Sequence, residues 1–274
     1  MQHIHSHYPS GQVKFAEYFR VKNIPYSEYT NHVIQYIENT GMLGKLRICA
    51  LGCGTGHYEI NFLKRGHFVV GIDRDMESIE IAKDNARDLG IELEIFHSDI
   101  FDENKVDSFL KDIEPFDVIT MFGVGVSMED HRRAGIFMSK YLNQNGLFIT
   151  GLWNYKSNFN FEVESELSDT EIAESLNGDN DFCVRMNNYT YKHKSDKYLI
   201  EWNAVYIYPD ENNFAKIEKK QTDIMEIVPI FEGKDPLSMP NNLFEKLHTF
   251  SLEEFSSTMN FPNTYEYLIS WKKK

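Results

Sequence analysis

Ile48-Cys49-Ala50-Leu51-Gly52-Cys53-Gly54-Thr55-Gly56-His57 decides how this chain folds. An apolar run ends in three glycines at alternate positions, and an amphipathic segment over residues 58–65 follows at once. Strand, glycine turn and helix in that order allow tight backbone angles and remove the β-carbons that would hold a ligand away. A ligand is therefore expected to approach this turn closely. The spacing separates two kinds of ligand. A dinucleotide fold requires G-x-G-x-x-G, whereas here His57 stands where its third glycine belongs and Gly56 comes one residue earlier. G-x-G-x-G suits a ligand without a pyrophosphate.

Outward from this turn, residues 46–153 alternate short apolar runs with amphipathic segments, the pattern of βαβ units on a parallel sheet. Residues 47–51 read as the first strand, 58–65 as a helix stopped by Gly66, and 68–72 as a buried second strand. Met76, Ile79, Ala82 and Ala86 recur at helical spacing up to Leu89-Gly90. Residues 91–96 alternate Ile91, Leu93 and Ile95 with Glu92 and Glu94 and predict a third strand, and 116–122 a fourth. A helix carrying Ala134, Ile136, Phe137, Tyr141 and Leu142 should lead through Asn143-Gln144-Asn145-Gly146 into a fifth strand, 147–153.

Beyond Trp153 the texture changes. Residues 154–181 are polar and read as a connection with one helix, and 183–228 as antiparallel strands with a turn at Pro209-Asp210-Glu211-Asn212-Asn213. Residues 251–259 begin with an N-cap Ser251 and carry Glu254 three positions on, which predicts a helix, and 265–271 form a last strand.

Two acids sit in register with the glycine turn. Asp73 ends the second strand, where a carboxylate can accept from both ribose hydroxyls of an adenosine, and Asp99 ends the third, where it can accept from an adenine amino group. Each feature alone is common in turns and caps. Across three successive strands they point together to an adenosine-containing ligand.

Composition narrows the partners. The 274 residues are 42% hydrophobic, enough for one α/β domain with an insertion or small cap. Lys and Arg number 28 against 42 Asp and Glu, a net charge of -14, which argues against nucleic acid because that affinity rests on neutralising phosphates. No apolar stretch reaches 18 residues and the first thirty residues lack a basic start followed by an apolar block, so a cytoplasmic protein with no membrane partner is expected. Cys49, Cys53 and Cys183 have neither zinc nor redox spacing and read as small core residues, so no metal is expected.

The run Leu51-Gly52-Cys53-Gly54-Thr55-Gly56, with Gly71-Ile72-Asp73 and Ser98-Asp99, resembles the class I S-adenosylmethionine-dependent methyltransferase family over about residues 45–153. The resemblance implies an α/β Rossmann-like methyltransferase fold: a mostly parallel seven-stranded sheet with an antiparallel last strand. An N-terminal helical lid (1–45), a cofactor-binding core (46–153), an inserted antiparallel region forming a substrate cap (154–246) and a C-terminal helix and strand (247–274) would complete it. It also implies S-adenosyl-L-methionine as cofactor. Gly52, Cys53, Gly54, Thr55 and Gly56 would lie against its methionine portion, Asp73 and Arg74 at the ribose, Asp99 and Ile100 at adenine, and Phe122 and Gly123 beside the sulfonium. One position departs from the family pattern. An acid is usual two residues before the first glycine, and here that residue is Ala50. Weaker cofactor binding, a substitute acid such as Glu59, and loss of catalysis all stay open.

The fourth strand is followed by Phe122-Gly123-Val124-Gly125-Val126 rather than the Asn-Pro-Pro-Tyr type of segment, which disfavours nucleobases as acceptors. Lys14-Phe15-Ala16-Glu17-Tyr18-Phe19, the inserted strands and residues 247–255 are similar, more diffusely, to small-molecule N-methyltransferases of the amino-sugar and glycine type. That resemblance implies an acceptor pocket with Tyr18, Tyr26, Tyr29 and Trp153. No residue stands out as a catalytic base, His57 and His131 being the plausible imidazoles. Methyl transfer to the amine nitrogen of a small molecule is the expected function. A hydroxyl acceptor, a non-catalytic adenosine-ligand protein and, third, a nicotinamide oxidoreductase remain alternatives, and a homodimer is an admissible assembly.

Overall fold

Strands buried on both faces need helices on either side, and short connections leave right-handed crossovers as the economical route. The computed structural model follows that plan. It describes residues 10–23, 26–124, 128–155, 165–174, 181–194, 197–210, 213–219, 223–227, 237–251 and 264–274. In chain order the elements begin α1 (Ser10–Asn23), α2 (Tyr26–Asn39), β1 (Arg47–Leu51), α3 (His57–Lys64), β2 (Phe68–Asp73), α4 (Met76–Arg87), β3 (Glu94–His97) and α5 (Glu103–Leu110). They continue β4 (Phe116–Met121), α6 (Met128–Met138), β5 (Leu142–Tyr155), β6 (Ser165–Glu174), β7 (Phe182–Lys194) and β8 (Lys197–Asp210). The last are β9 (Asn213–Lys219), β10 (Asp223–Ile227), β11 (Phe244–Ser251) and β12 (Thr264–Lys273). Two compact units result, Pro25–Lys156 with Pro229–Lys274, and Met1–Ile24 with Ser157–Val228. The first 45 residues are thus divided, α1 in the smaller unit and α2 in the larger.

The larger unit is built on a seven-stranded sheet in the order β11-β12-β5-β4-β1-β2-β3. Strands β1 to β5 run parallel, and β12 lies antiparallel between β5 and β11. Cys49, Leu51, Val70, Ile72, Ile119 and Met121 of the central strands are buried with Val106 and Leu110 of α5 and Met138 of α6. A second cluster joins Ile60 of α3 to Ile79, Ala82 and Ala86 of α4. After β1 the chain works outward to β3, then returns to place β4 on the other side of β1. That reversal of strand order at β1 and β4 marks the part of the carboxyl edge where open α/β sheets take ligands.

Four local departures from the sequence reading have physical causes. Residues 91–93 are not strand, because the amide of Ile91 donates to Ala86 O (2.9 Å) and closes α4 beyond Gly90. Helix α5 was not expected; Asp102 caps it by accepting from Lys105 N, and Val106 and Leu110 are buried one turn apart. The α6 segment ends at Met138, so Leu142 opens β5 opposite Phe116, and residues 143–146 form a bulge before Leu147 pairs with Val118. Finally β6 is a strand where a connection with one helix was expected. Its small polar side chains blur the period of two, and the ten-residue ladder to β7 supplies the order that its own pattern lacks. The expected helix over 251–259 falls outside the described residues after Ser251, which itself ends β11.

The smaller unit is an antiparallel sheet in the order β10-β8-β7-β6, with β9 also on β8. Helix α1 lies on it through Phe15, which packs with Ala173, Cys183, Ala204, Tyr206 and Tyr208. The approach is tight enough that a β-carbon at Gly11 would fall 2.5 Å from Tyr206 Cβ. Cys183 Sγ donates to Gly11 O there, and burial raises its thiol to about 12. Cys183 is a packing residue, as its lack of zinc or redox spacing implied.

Candidate functional site

The turn after β1 is built from left-handed glycines: Gly52 has φ 66°, Gly54 φ 54° and Gly56 φ 78°. A β-carbon at Gly52 would lie 2.6 Å from Val124 Cγ2 in the loop after β4, so sterics as well as backbone angle exclude a larger residue. Gly52 N donates to Ile72 O (2.7 Å) and Gly54 N to Asp73 Oδ2 (2.7 Å), which fastens the turn to the end of β2. Gly56 then stands at the N-terminus of α3 with no side-chain cap, and Ile60 N donates back to its carbonyl (2.9 Å). Cys53 packs over Gly71, and burial with the nearby Asp73 and Glu59 carboxyls pushes its thiol well up. Thr55 is buried and its carbonyl accepts from Asn85 Nδ2 (3.2 Å).

Asp73 is 7% exposed, and burial raises its carboxyl above the usual range while two backbone donors oppose that rise. Oδ2 accepts from Gly54 N and Oδ1 from Asp75 N (2.9 Å). A carboxylate offers about four acceptor positions, so each oxygen keeps one for a ligand hydroxyl. Arg74 is exposed, its carbonyl paired with His97 Nε2 (2.9 Å). At the end of β3, Ser98 N donates to Asp73 O (2.8 Å), Asp99 Oδ1 accepts from Phe101 N (2.9 Å), and Ile100 packs half-buried against the core. The acids chosen from sequence are thus held at neighbouring strand ends by backbone bonds.

On the β4 side, Gly123 has φ 63° and Phe122 meets Tyr58 edge to face, ring centres 5.2 Å apart. Tyr58 in turn meets Tyr26 (4.9 Å), and Tyr26 stacks on His57 (4.7 Å, 23°). An unbroken aromatic series, His57-Tyr26-Tyr58-Phe122, therefore joins α2, the start of α3 and the end of β4. Tyr58 was missed because a single aromatic in a first helical turn carries no pattern. Tyr29 is 1% exposed on the packed face of α2. Tyr18 belongs to the smaller unit, where its hydroxyl donates to Asp181 Oδ2 (2.6 Å). Trp153 lies in β5 opposite Glu266, and its side chain is outside the described residues.

Two further titratable groups bear on the chemistry. His131 is 2% exposed; its Nδ1 is 2.8 Å from Thr150 Oγ1, it also bonds to the Val124 backbone, and burial lowers its pKa to about 4. It is a neutral brace behind the β4 loop, with no surface to offer a substrate. Glu59, in the first turn of α3, is 3% exposed; its Oε2 has no partner, and burial pushes its carboxyl up to about 8. Among the described residues no cluster of His, Cys, Asp and Glu could hold a metal, and no helix is long and apolar enough to cross a membrane.

The chain is 26% identical over 129 residues to a Geobacillus sp. (strain WCH70) protein provisionally named a methyltransferase, a match spanning 46% of this chain and about half (49%) of that relative. Among solved structures it is similar to an S-adenosylmethionine-dependent methyltransferase from Clostridium acetobutylicum ATCC 824, at TM-score 0.62 and 17% identity over 93% of this chain and 97% of that one. It is also similar to the sugar N-methyltransferase KedS8 from Streptoalloteichus sp. ATCC 53650, at TM-score 0.54 and 13% identity over 90% of this chain and 86% of that one. At such identities the likeness is one of fold. A family model described as a methyltransferase domain matches residues 44–228, two thirds of the sequence, and by that match the chain belongs to the methyltransferase-domain family.

Proposed function

We propose that this protein transfers the methyl group of S-adenosylmethionine to the amine nitrogen of a small molecule. The observation that carries the reading is Asp73, fixed by Gly54 and Asp75 amides yet retaining acceptor capacity on both oxygens beside three left-handed glycines. The cradle fits an adenosyl ligand. Gly52 and Gly54 hold left-handed angles that shape the turn, Asp73 suits a ribose diol, and Asp99 stands one strand further for adenine. The cofactor supplies a methyl already activated on a sulfonium, so alignment and exclusion of water are the protein's main tasks.

The aromatic series supports a nitrogen acceptor. Tyr26, Tyr58 and Phe122 offer ring faces, which attract sulfonium or ammonium groups by roughly 0.5–2 kcal/mol. An amine can arrive neutral and needs no general base, which agrees with a His131 sealed behind Thr150 and Val124. The sugar N-methyltransferase fold-mate points in the same direction. Trp153 is assigned to the acceptor side of the reaction on the strength of the sequence alone.

Calorimetry with S-adenosylmethionine and its demethylated product tests the cofactor half. Both should bind, and Asp73→Ala, checked by circular dichroism for a retained fold, should abolish both. Wild-type protein that binds neither would reject the proposal. Labelled S-adenosylmethionine offered with panels of amines and phenols tests the acceptor, and label passing only to phenols would replace nitrogen by oxygen.

A further inference from the structure

A buried carboxyl with an orphaned oxygen is unusual in a folded protein, since each such group costs free energy unless something completes it. Glu59 is that group here. It lies at the third position of α3, three residues past Gly56, on a helix that buries Ile60 and Phe62 with it. Its own backbone N–H donates to it, while Oε2 has no partner among the described residues. The titratable neighbours that act on it are Asp73 at the end of β2 and the Cys53 thiol in the glycine turn, and neither is a cation. Meanwhile Ala50, two residues before Gly52, is itself buried on β1 and brings no charge to the turn.

Resting on the cofactor reading above, we propose that Glu59 is the counter-charge for the ammonium group of the bound cofactor, taking over from α3 the part that β1 cannot play through Ala50. In the empty protein the acid stays protonated, because no cation among the described residues acts on it and burial disfavours its anion. When the ammonium of the methionine portion arrives, the O–H of Glu59 breaks, its proton leaves to solvent, and the carboxylate oxygen accepts from N–H of the ligand. No oxidant or co-reactant is involved. Cofactor capture and proton release then form one event, which a fixed, solvated acid would not produce.

The decisive measurement is titration calorimetry with S-adenosylhomocysteine, repeated in buffers of different ionisation enthalpy at roughly pH 6.5, where the acid is held protonated and a ligand amine is already charged. Wild type should release close to one proton per ligand bound. Glu59→Gln mimics the protonated acid in shape and should fold as wild type does by circular dichroism; it should release none and bind about 10- to 100-fold more weakly, the loss of a charge-assisted hydrogen bond. Binding by wild type without proton release, or undiminished binding by Glu59→Gln, would overturn the assignment of Glu59 while leaving the cofactor site intact. Failure of wild type to bind at all would instead reject the cofactor reading on which it rests. A second variant guards against indirect damage: Ala50→Asp in the Glu59→Gln background should recover part of the affinity, and no recovery together with normal proton release in Glu59→Gln would count against the proposal.

Discussion

Burial fixes the charge of Glu59 before any ligand arrives, and that has a consequence for stability. Its folded value is raised from 4.5 to about 8. Below roughly pH 4.5 the acid is protonated in both the folded and unfolded chain and costs nothing; between there and about pH 8 only the unfolded chain gives up the proton, so stability is lost as pH rises through that window. At about 1.36 kcal/mol per unit the full loss is on the order of 3–5 kcal/mol. Urea unfolding of the empty protein at pH 5 and pH 9 should therefore show Glu59→Gln close to wild type at the lower pH and clearly more stable at the higher. Equal stability at pH 9 would mean that Glu59 ionises freely in the folded chain. At this scale, legibility followed backbone demand. Gly52, Gly54, Gly56 and Asp73 were readable because left-handed turns and strand-end acceptors leave few alternatives. Glu59 was legible only as one open substitute for the acid missing at Ala50, and Tyr58 was not ranked, since a lone aromatic in a first helical turn carries no pattern.

Among the elements, the bulge in β5 shows where pattern reading gave way to pairing. Asn143-Gln144-Asn145-Gly146 has turn chemistry, and it does turn, but inside a strand, because Leu142 already pairs with Phe116. Asn145 takes the strain with φ 66°, and Asn143 Nδ2 anchors the loop to Asp117 Oδ1 (2.9 Å). Asn tolerates that conformation, Gly accepts it freely, and a β-branched residue resists it. Asn145→Gly should therefore leave thermal stability unchanged or higher by less than about 1 kcal/mol, while Asn145→Val should lower it by about 1–2 kcal/mol. A Val variant as stable as wild type would show that the bulge relaxes to another path. Strands β1, β2 and β4 were legible because each is an apolar run between helices. Helix α5 and strand β6 were not: the first is short, and the second has exposed Thr170 and Ile172 beside buried Ala173, a pattern completed only by its partner.

For the whole molecule, the division into two units was the least legible feature, since α1 joins strands far along the chain through Phe15 and the close approach of Gly11 to Tyr206, and alternation tells a strand's period but not its partner. Net charge, by contrast, needs no fold. At -14 the molecule carries a field that attracts cations over roughly a Debye length of 10 Å at 0.1 M salt. S-adenosylmethionine carries one more positive charge than its demethylated product, because the sulfonium becomes a neutral thioether on transfer. The field should hasten arrival of the donor and give no such help to the spent product, whose ammonium and carboxylate cancel. Stopped-flow association rates measured from about 20 mM to about 500 mM salt should fall several-fold for S-adenosylmethionine and hardly at all for S-adenosylhomocysteine. Parallel slopes for the two would mean that the charge lies too far from the crevice to steer, and that discrimination between donor and product rests on local contacts such as the Tyr58-Phe122 edge.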